Sequence, residues 1–533
     1  MLYFHCTARI LMLYLQKIIG FLQGIYIMKT KEFIRNSSYL IIGQLFVYIL
    51  DFICRIVFIH YIPQEYVGVK GLFTNILNIL SLSELGIGSV LVIYMYRPLA
   101  THDTLRVASL VRLYRKLYRI IIPTIFIAGC CLIPFLPHMI SGTSTIHGLT
   151  IIYLLYLLRS VFGFYNGHLC ALFMADQKAH YVSLAGYMSQ ICASVLQIIF
   201  LILTRDIFIY LVIQLLTMIM QKCFLGWLAR KKYPSVCKCD APALDKSEQK
   251  EIFRNVRAMF QHRLGATVLS STDNIIISKF IGITIVAIND AYNSILSVIT
   301  QLLSQIFVLL TSIIGASNAT SSREESCKKF FDLHFINFWF YTFCSCSLLL
   351  LLHPVIRIFF GTSYIFDSSI EFLLVLNFYI VGIRQIIILF KESLGLIQQD
   401  RWVPIIEVCI NIAISLLGVY YFGTIGVFIG TTISMMITSF PIEPYILFHY
   451  GFEKPVRTFW RTSFPYYLLS ALLLASCYEI DKTCSLSNDW LTLGIRLLIA
   501  LLYPNLVILL LYHRSPQCQQ MQNILRQALK RNK

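Results

Sequence analysis

Residues 72–119 read LFTNILNILSLSELGIGSVLVIYMYRPLATHDTLRVASLVRLYRKLYR, and the contrast between the two halves of this stretch decides the fold. The first half, 72–95, is apolar over a length that crosses about 30 Å of hydrocarbon as a helix. The second half, 96–119, carries Arg97, Arg106, Arg112, Arg115, Lys116 and Arg119. An apolar run joined to a cationic loop is the building unit of a multi-pass membrane protein, because the cations hold their loop in the cytoplasm. Within that loop, residues 106–117 alternate basic with apolar side chains, as an amphipathic helix lying on the inner leaflet would.

Outward from this stretch the unit recurs. Apolar runs fall at 39–61, 72–95, 119–140, 147–172, 181–203, 207–228, 258–281, 290–314, 332–353, 369–393, 403–422, 424–448, 463–480 and 490–512. About fourteen transmembrane helices are expected, since runs this long and continuous exclude barrel strands. Composition agrees: of 533 residues 57% are hydrophobic and 13% charged, too apolar for a soluble chain. The formal charge of +18 belongs to alternate loops and does not call for nucleic acid as a partner. Cations crowd the segment before the first run (Lys29, Lys31, Arg35), the even-numbered loops and the tail. The odd-numbered loops hold only Lys70, Arg205, Lys279, Arg357 and Lys482. The bias, about sixfold, predicts cytoplasmic termini. Most of the 16 cysteines sit in apolar runs and read as small buried residues, not as disulfides or a metal site.

Residues 10–27 are apolar enough to suggest a further span, but Gln16, Lys17 and Gln23 interrupt them. A span there would also invert every later loop against its charge. Two readings of 1–28 remain. Either Met28 is the initiator, or the extension lies at the interface as an amphipathic segment. Shifting the chain by 222 residues matches Arg35 with Arg257, Gly43 with Gly265, Asp51 with Asp273, Ile53 with Ile275 and Phe58 with Phe280. The expected fold is therefore all-α, with two parallel six-helix lobes around a central cavity and two extra C-terminal helices. The lobes would occupy 29–250, cytoplasmic linker included, and 251–450; the extra helices and a basic tail fill 451–533.

Ionisable groups inside spans are costly and so are functional candidates. Asp51 and Arg55, four apart, either lock helix packing or face the cavity. Glu84, mid-span in SELGIG, suits either a proton relay or a hydrogen bond to a neighbouring helix. Arg159 and Asn166 share a face of the fourth run; Asn377, Arg384 and Lys391 stack at seven-residue spacing in the tenth. Arg159 and Arg384, one per half, either present cations to an anionic headgroup or pair inside the bundle. Asp273, in the polar knot 270–274, and Glu407 are further candidates for ion coupling or gating. Pro441 and Pro444 should bend the twelfth run. No nucleotide-binding, zinc-protease, hydrolase or kinase motif is present, and no external loop could house a catalytic domain.

With these residues in place, the chain resembles the polysaccharide-export flippases of the multidrug/oligosaccharidyl-lipid/polysaccharide superfamily. The similar stretches are LSLSELGIG (80–88) with YRPL (96–99), HRLGATVLSSTDNIIISKFIG (262–282), RQIIILFKESLGLIQQDRWVP (384–404) with Glu407, and Glu443-Pro444-Tyr445. AINDAY (287–292) departs from the Gly-x-Tyr-Ser-like turn common in relatives. The resemblance implies alternating access, undecaprenyl-pyrophosphate-linked oligosaccharide as cargo, a bacterial inner membrane and neither cofactor nor metal. Polysaccharide polymerase and chain-length proteins would be partners beside the membrane lipids. Two alternatives stay open: a cation-coupled drug exporter of the same fold, and a membrane polymerase or glycosyltransferase of the same pathway.

Overall fold

The computed structural model describes residues 31–81, 87–140, 146–237, 242–320, 322–396, 399–483 and 488–519, and every regular element among them is helical. The first half comprises α1 (Lys31–Tyr61), α2 (Gln64–Leu80), α3 (Ile87–Ala100), α4 (Thr104–Leu132), α5 (Leu149–Gly163), α6 (Gly167–Ala175), α7 (Ala179–Thr204) and α8 (Ile207–Lys232). The second comprises α9 (Lys246–Phe280), α10 (Ile283–Thr320), α11 (Arg323–Phe359), α12 (Ser368–Ile383), α13 (Gln385–Ser393), α14 (Val403–Phe422), α15 (Thr424–Ile437) and α16 (Ser439–Ile446). Helices α17 (Arg457–Thr483) and α18 (Asp489–Tyr512) both pack on α11.

Polar side chains start several of these helices. Asp103, Asp206, Ser322 and Asn488 each accept a free backbone N–H in the first turn of the helix that follows. The α14–α15 hairpin turns on the single residue Gly423, whose φ of 63° a side chain would strain. Packing order repeats between the halves. Helix α1 packs on α7, α7 on α8 and α8 on α5; correspondingly, α9 packs on α14, α14 on α15 and α15 on α12. The surface is apolar where lipid would lie: α18 exposes Leu498, Leu502, Leu506 and Leu510, one per turn, and buries Arg496, Ala500, Pro504 and Ile508.

Among the described residues, ten helical stretches, with α12–α13 and α15–α16 each taken as one, are long and apolar enough to cross a membrane, or eleven if the bent pair α5–α6 counts as one. The chain is thus an all-helical multi-pass membrane protein, with a span count of ten or eleven by this measure against the fourteen expected. Of the expected runs, the second contains residues outside the description. The seventh and thirteenth lie in α9 and α17, long helices richer in polar residues.

The fourth run is not one straight helix. It breaks at 164–166, where Asn166 takes φ 57°, and the two pieces bend by 41°. Residues 106–117 do not lie on a lipid leaflet either. Val107, Leu110, Val111 and Tyr114 are buried in a cluster with residues of α3 and α6, with Val236 and Leu244 of the linker and with Ile252 of α9.

Candidate functional site

The halves meet where α2 lies against α9 and α10. This approach depends on glycine. A Cβ at Gly68 would sit 2.1 Å from the Ile283 carbonyl oxygen, and one at Gly71 would sit 3.3 Å from Asp290 Cβ. Seated this way, Asp290 of α10 faces Arg55 of α1. The guanidinium donates to the Asp290 backbone carbonyl at 2.7 Å and pairs with its carboxylate. Arg55 therefore reaches across the halves instead of pairing with Asp51, which is exposed one turn earlier. The two side chains remain 16% and 22% exposed, so the bridge is not sealed off. Tyr48 adds a second link, donating to Gln301 at 2.5 Å.

Two further cations gather beside this bridge. Lys70, on α2, holds its ammonium over the Phe58 ring at 5.1 Å and the Tyr210 ring at 5.8 Å. Arg159, on α5, has no carboxylate partner among the described residues, and its buried Nε has no hydrogen-bond acceptor. Ser160, next to it, touches Ser81 of α2 at 3.3 Å. Three cations thus line the first half near one bridging carboxylate. Such a set can hold an anion whose oxygens accept from planar guanidinium and ammonium groups.

Arg384 and Lys391 lie elsewhere and are paired. Arg384, at the joint between α12 and α13, donates from Nε and Nη2 to Glu443 of α16, both at 3.0 Å, and lies 4.0 Å from Glu407 of α14. Lys391 pairs with Asp400 and lies 3.5 Å from Glu443. Thr438 and Ser439 both donate to Glu407 Oε2. Each of the five charged side chains is at most 12% exposed, so the stack of the tenth run points into a sealed network of two cations and three carboxylates. Broken helices make this network possible. Helix α15 ends at Ile437, four residues before Pro441, and α16 resumes at Ser439 with Glu443 against Arg384.

Of the remaining candidates, Asp273 accepts from Thr431 at 3.1 Å, and Thr431 accepts from Asn411 at 3.0 Å, which threads α9, α15 and α14 together. Asn377 ties α12 to α15, accepting from Thr432 at 2.7 Å. Asn166 forms the α5–α6 joint and donates to the Lys222 carbonyl at 3.1 Å. Both asparagines bond to protein neighbours. Glu84 lies outside the described residues. Sequence reasoning missed Lys70, Asp290, Asp400 and the role of Glu443. Lys70 passed for a loop cation because the apolar run begins at Leu72, whereas the helix begins at Gln64. Asp290 belongs to AINDAY, the departure from the expected turn; here it is helical and bridges the halves.

This fold is that of helical membrane flippases and exporters. It is similar to the lipid II flippase MurJ in an inward closed conformation, at TM-score 0.66 and 17% identity over 89% of this chain and 99% of that one. An inward-facing multidrug resistance MATE transporter of the MOP superfamily is similar at TM-score 0.60 and 16% identity, over 82% and 96%. A MOP superfamily transporter from Pyrococcus furiosus follows at TM-score 0.54 and 15% identity, over 83% and 95%. No curated protein sequence matches the chain. The family model for polysaccharide biosynthesis proteins matches residues 33–313, more than half of the chain, and the chain belongs to that family.

Proposed function

We propose that this protein is a flippase that moves undecaprenyl-pyrophosphate-linked polysaccharide repeat units across the bacterial inner membrane by alternating access. One observation carries this reading: Lys70 and Arg159 lack a carboxylate partner among the described residues, and they flank Arg55–Asp290, a bridge between the two halves. A diphosphate offers these cations the acceptors they lack, and drawing Arg55 away from Asp290 would free one lobe from the other. A cation-coupled drug exporter would need the opposite polarity here. Arg384 and Lys391 act in this scheme as a buried brace, and the Asp273–Thr431–Asn411 thread is where a coupling cation would bind.

The lobes are taken as 29–250 and 251–450, followed by 451–533, whose helices α17 and α18 pack on the second; both termini are cytoplasmic by the positive-inside bias. Polysaccharide polymerase and chain-length proteins would receive the product. The test is polysaccharide export in cells that depend on this chain. Losing one charge-assisted contact removes about 1.5–3 kcal/mol, so Arg159→Ala and Lys70→Ala should each lower export on the order of tenfold to a hundredfold. Unchanged export in both variants, at equal protein level, would dispose of the reading.

A further inference from the structure

The terminal pair α17–α18 packs on α11, and α11 packs on α12. In the first turn of α12 lies Glu371, 1% exposed. Neither of its carboxyl oxygens has a hydrogen-bond partner among the described residues. The groups facing it come from every side: His353 of α11, Asp481 of α17, Arg496 of α18 and Tyr292 of α10. Helix α15, also packed on α12, carries no titratable residue.

The one strong cation here is already engaged. Arg496, 4% exposed, pairs with the Asp481 carboxylate and donates to the Asp481 carbonyl at 2.6 Å. It also reaches the Leu350 carbonyl at 3.4 Å, an acceptor whose helical donor is removed by Pro354. One cation is thus matched by one carboxylate, and Glu371 is left without a counter-charge of its own, with the His353 backbone N–H turned toward it. An ionised carboxylate in that position would be buried, unsolvated and beside a like charge.

We propose that Glu371 is a proton-binding site. Its carboxyl carries a proton while α17 and α18 are seated against the second half, and gives that proton to water at the Ser368 end of α12 when they loosen. The site is separate from the cationic cluster near Arg55 and does not depend on the nature of the cargo. It makes the two terminal helices a proton-sensitive element instead of a passive addition.

Infrared difference spectroscopy across a pH jump, on the full-length protein in lipid vesicles, tests this. The wild type should show a protonated-carboxyl C=O band that is lost in Glu371→Gln. Should Glu371→Gln not fold, Asp481→Asn decides the matter: without the neighbouring negative charge, the same band should disappear at a lower pH than in the wild type. A band unaffected by Glu371→Gln, or one whose pH response is the same in Asp481→Asn, would overturn the proposal.

Discussion

At the residue scale, the buried charges around Arg384 behave as a unit. Removing Arg384 strands carboxylates in a sealed place, so Arg384→Met should cost about 3–5 kcal/mol in detergent unfolding. Replacing Glu443 as well, as Arg384→Met with Glu443→Leu, should cost less than Arg384→Met alone, because one unmatched carboxylate is removed. A double variant weaker than Arg384→Met alone would show that the bidentate pair is not the centre of the network. The sequence singled out Arg384, Lys391 and Glu407 as costly intramembrane groups, and the structure gathers the three around Glu443 and Asp400. It left open whether they face a headgroup or each other. Glu443 lies 59 residues from Arg384 and Asp290 lies 235 residues from Arg55, and no local periodicity encodes such partners.

At the element scale, the contact of α2 with α10 rests on Gly68. Gly68→Ala places a methyl within 2.1 Å of the Ile283 carbonyl oxygen, an overpacking that should cost about 1–3 kcal/mol. Because the strain falls between the halves, export should drop more steeply than the unfolding temperature; equal loss of both would mean a general packing defect. The turn between α6 and α7 has an acid limit. Partial burial raises the Asp176 pKa, but hydrogen bonds from Lys178 and from Tyr233, the latter at 2.7 Å, outweigh it and hold the carboxyl below its ordinary range. A folded value below the unfolded one adds stability that is complete above about pH 4 and fades as pH falls through the folded value. Asp176→Asn should therefore flatten the acid limb of a stability–pH curve, and an unchanged limb would rule out this turn as its source.

The elements themselves were largely legible, since apolar length and loop charge are local signals. Breaks were not. Asn166 stood on an uninterrupted helical face in the sequence, and only its positive φ, set against Lys222 and Gly226 of α8, shows the joint. Pro441 and Pro444 did announce the break that ends α15. The face of 106–117 was read as seeking lipid because its protein partners, Val236, Leu244 and Ile252, lie more than a hundred residues away.

At the scale of the whole molecule, the two halves pack their helices in the same order, and the fourth span of each is interrupted, at 164–166 and at Arg384. The 222-residue match of a few side chains was the visible trace of that repeat. The repeat is asymmetric in charge: among the described residues Lys70 and Arg159 of the first half lack a carboxylate partner, whereas Arg384 and Lys391 of the second are paired. In the proposed function that asymmetry would make the first half the cargo-binding lobe and the second a braced one, with the Arg55–Asp290 bridge as the part that opens. The most direct measurement joins cysteines at positions 55 and 290 with a short reducible cross-linker and follows flipping of a lipid-linked oligosaccharide in proteoliposomes. Flipping should stop on cross-linking and return on reduction, beyond any loss the two substitutions cause alone. Flipping that continues at full rate with the halves joined would contradict movement of one lobe against the other.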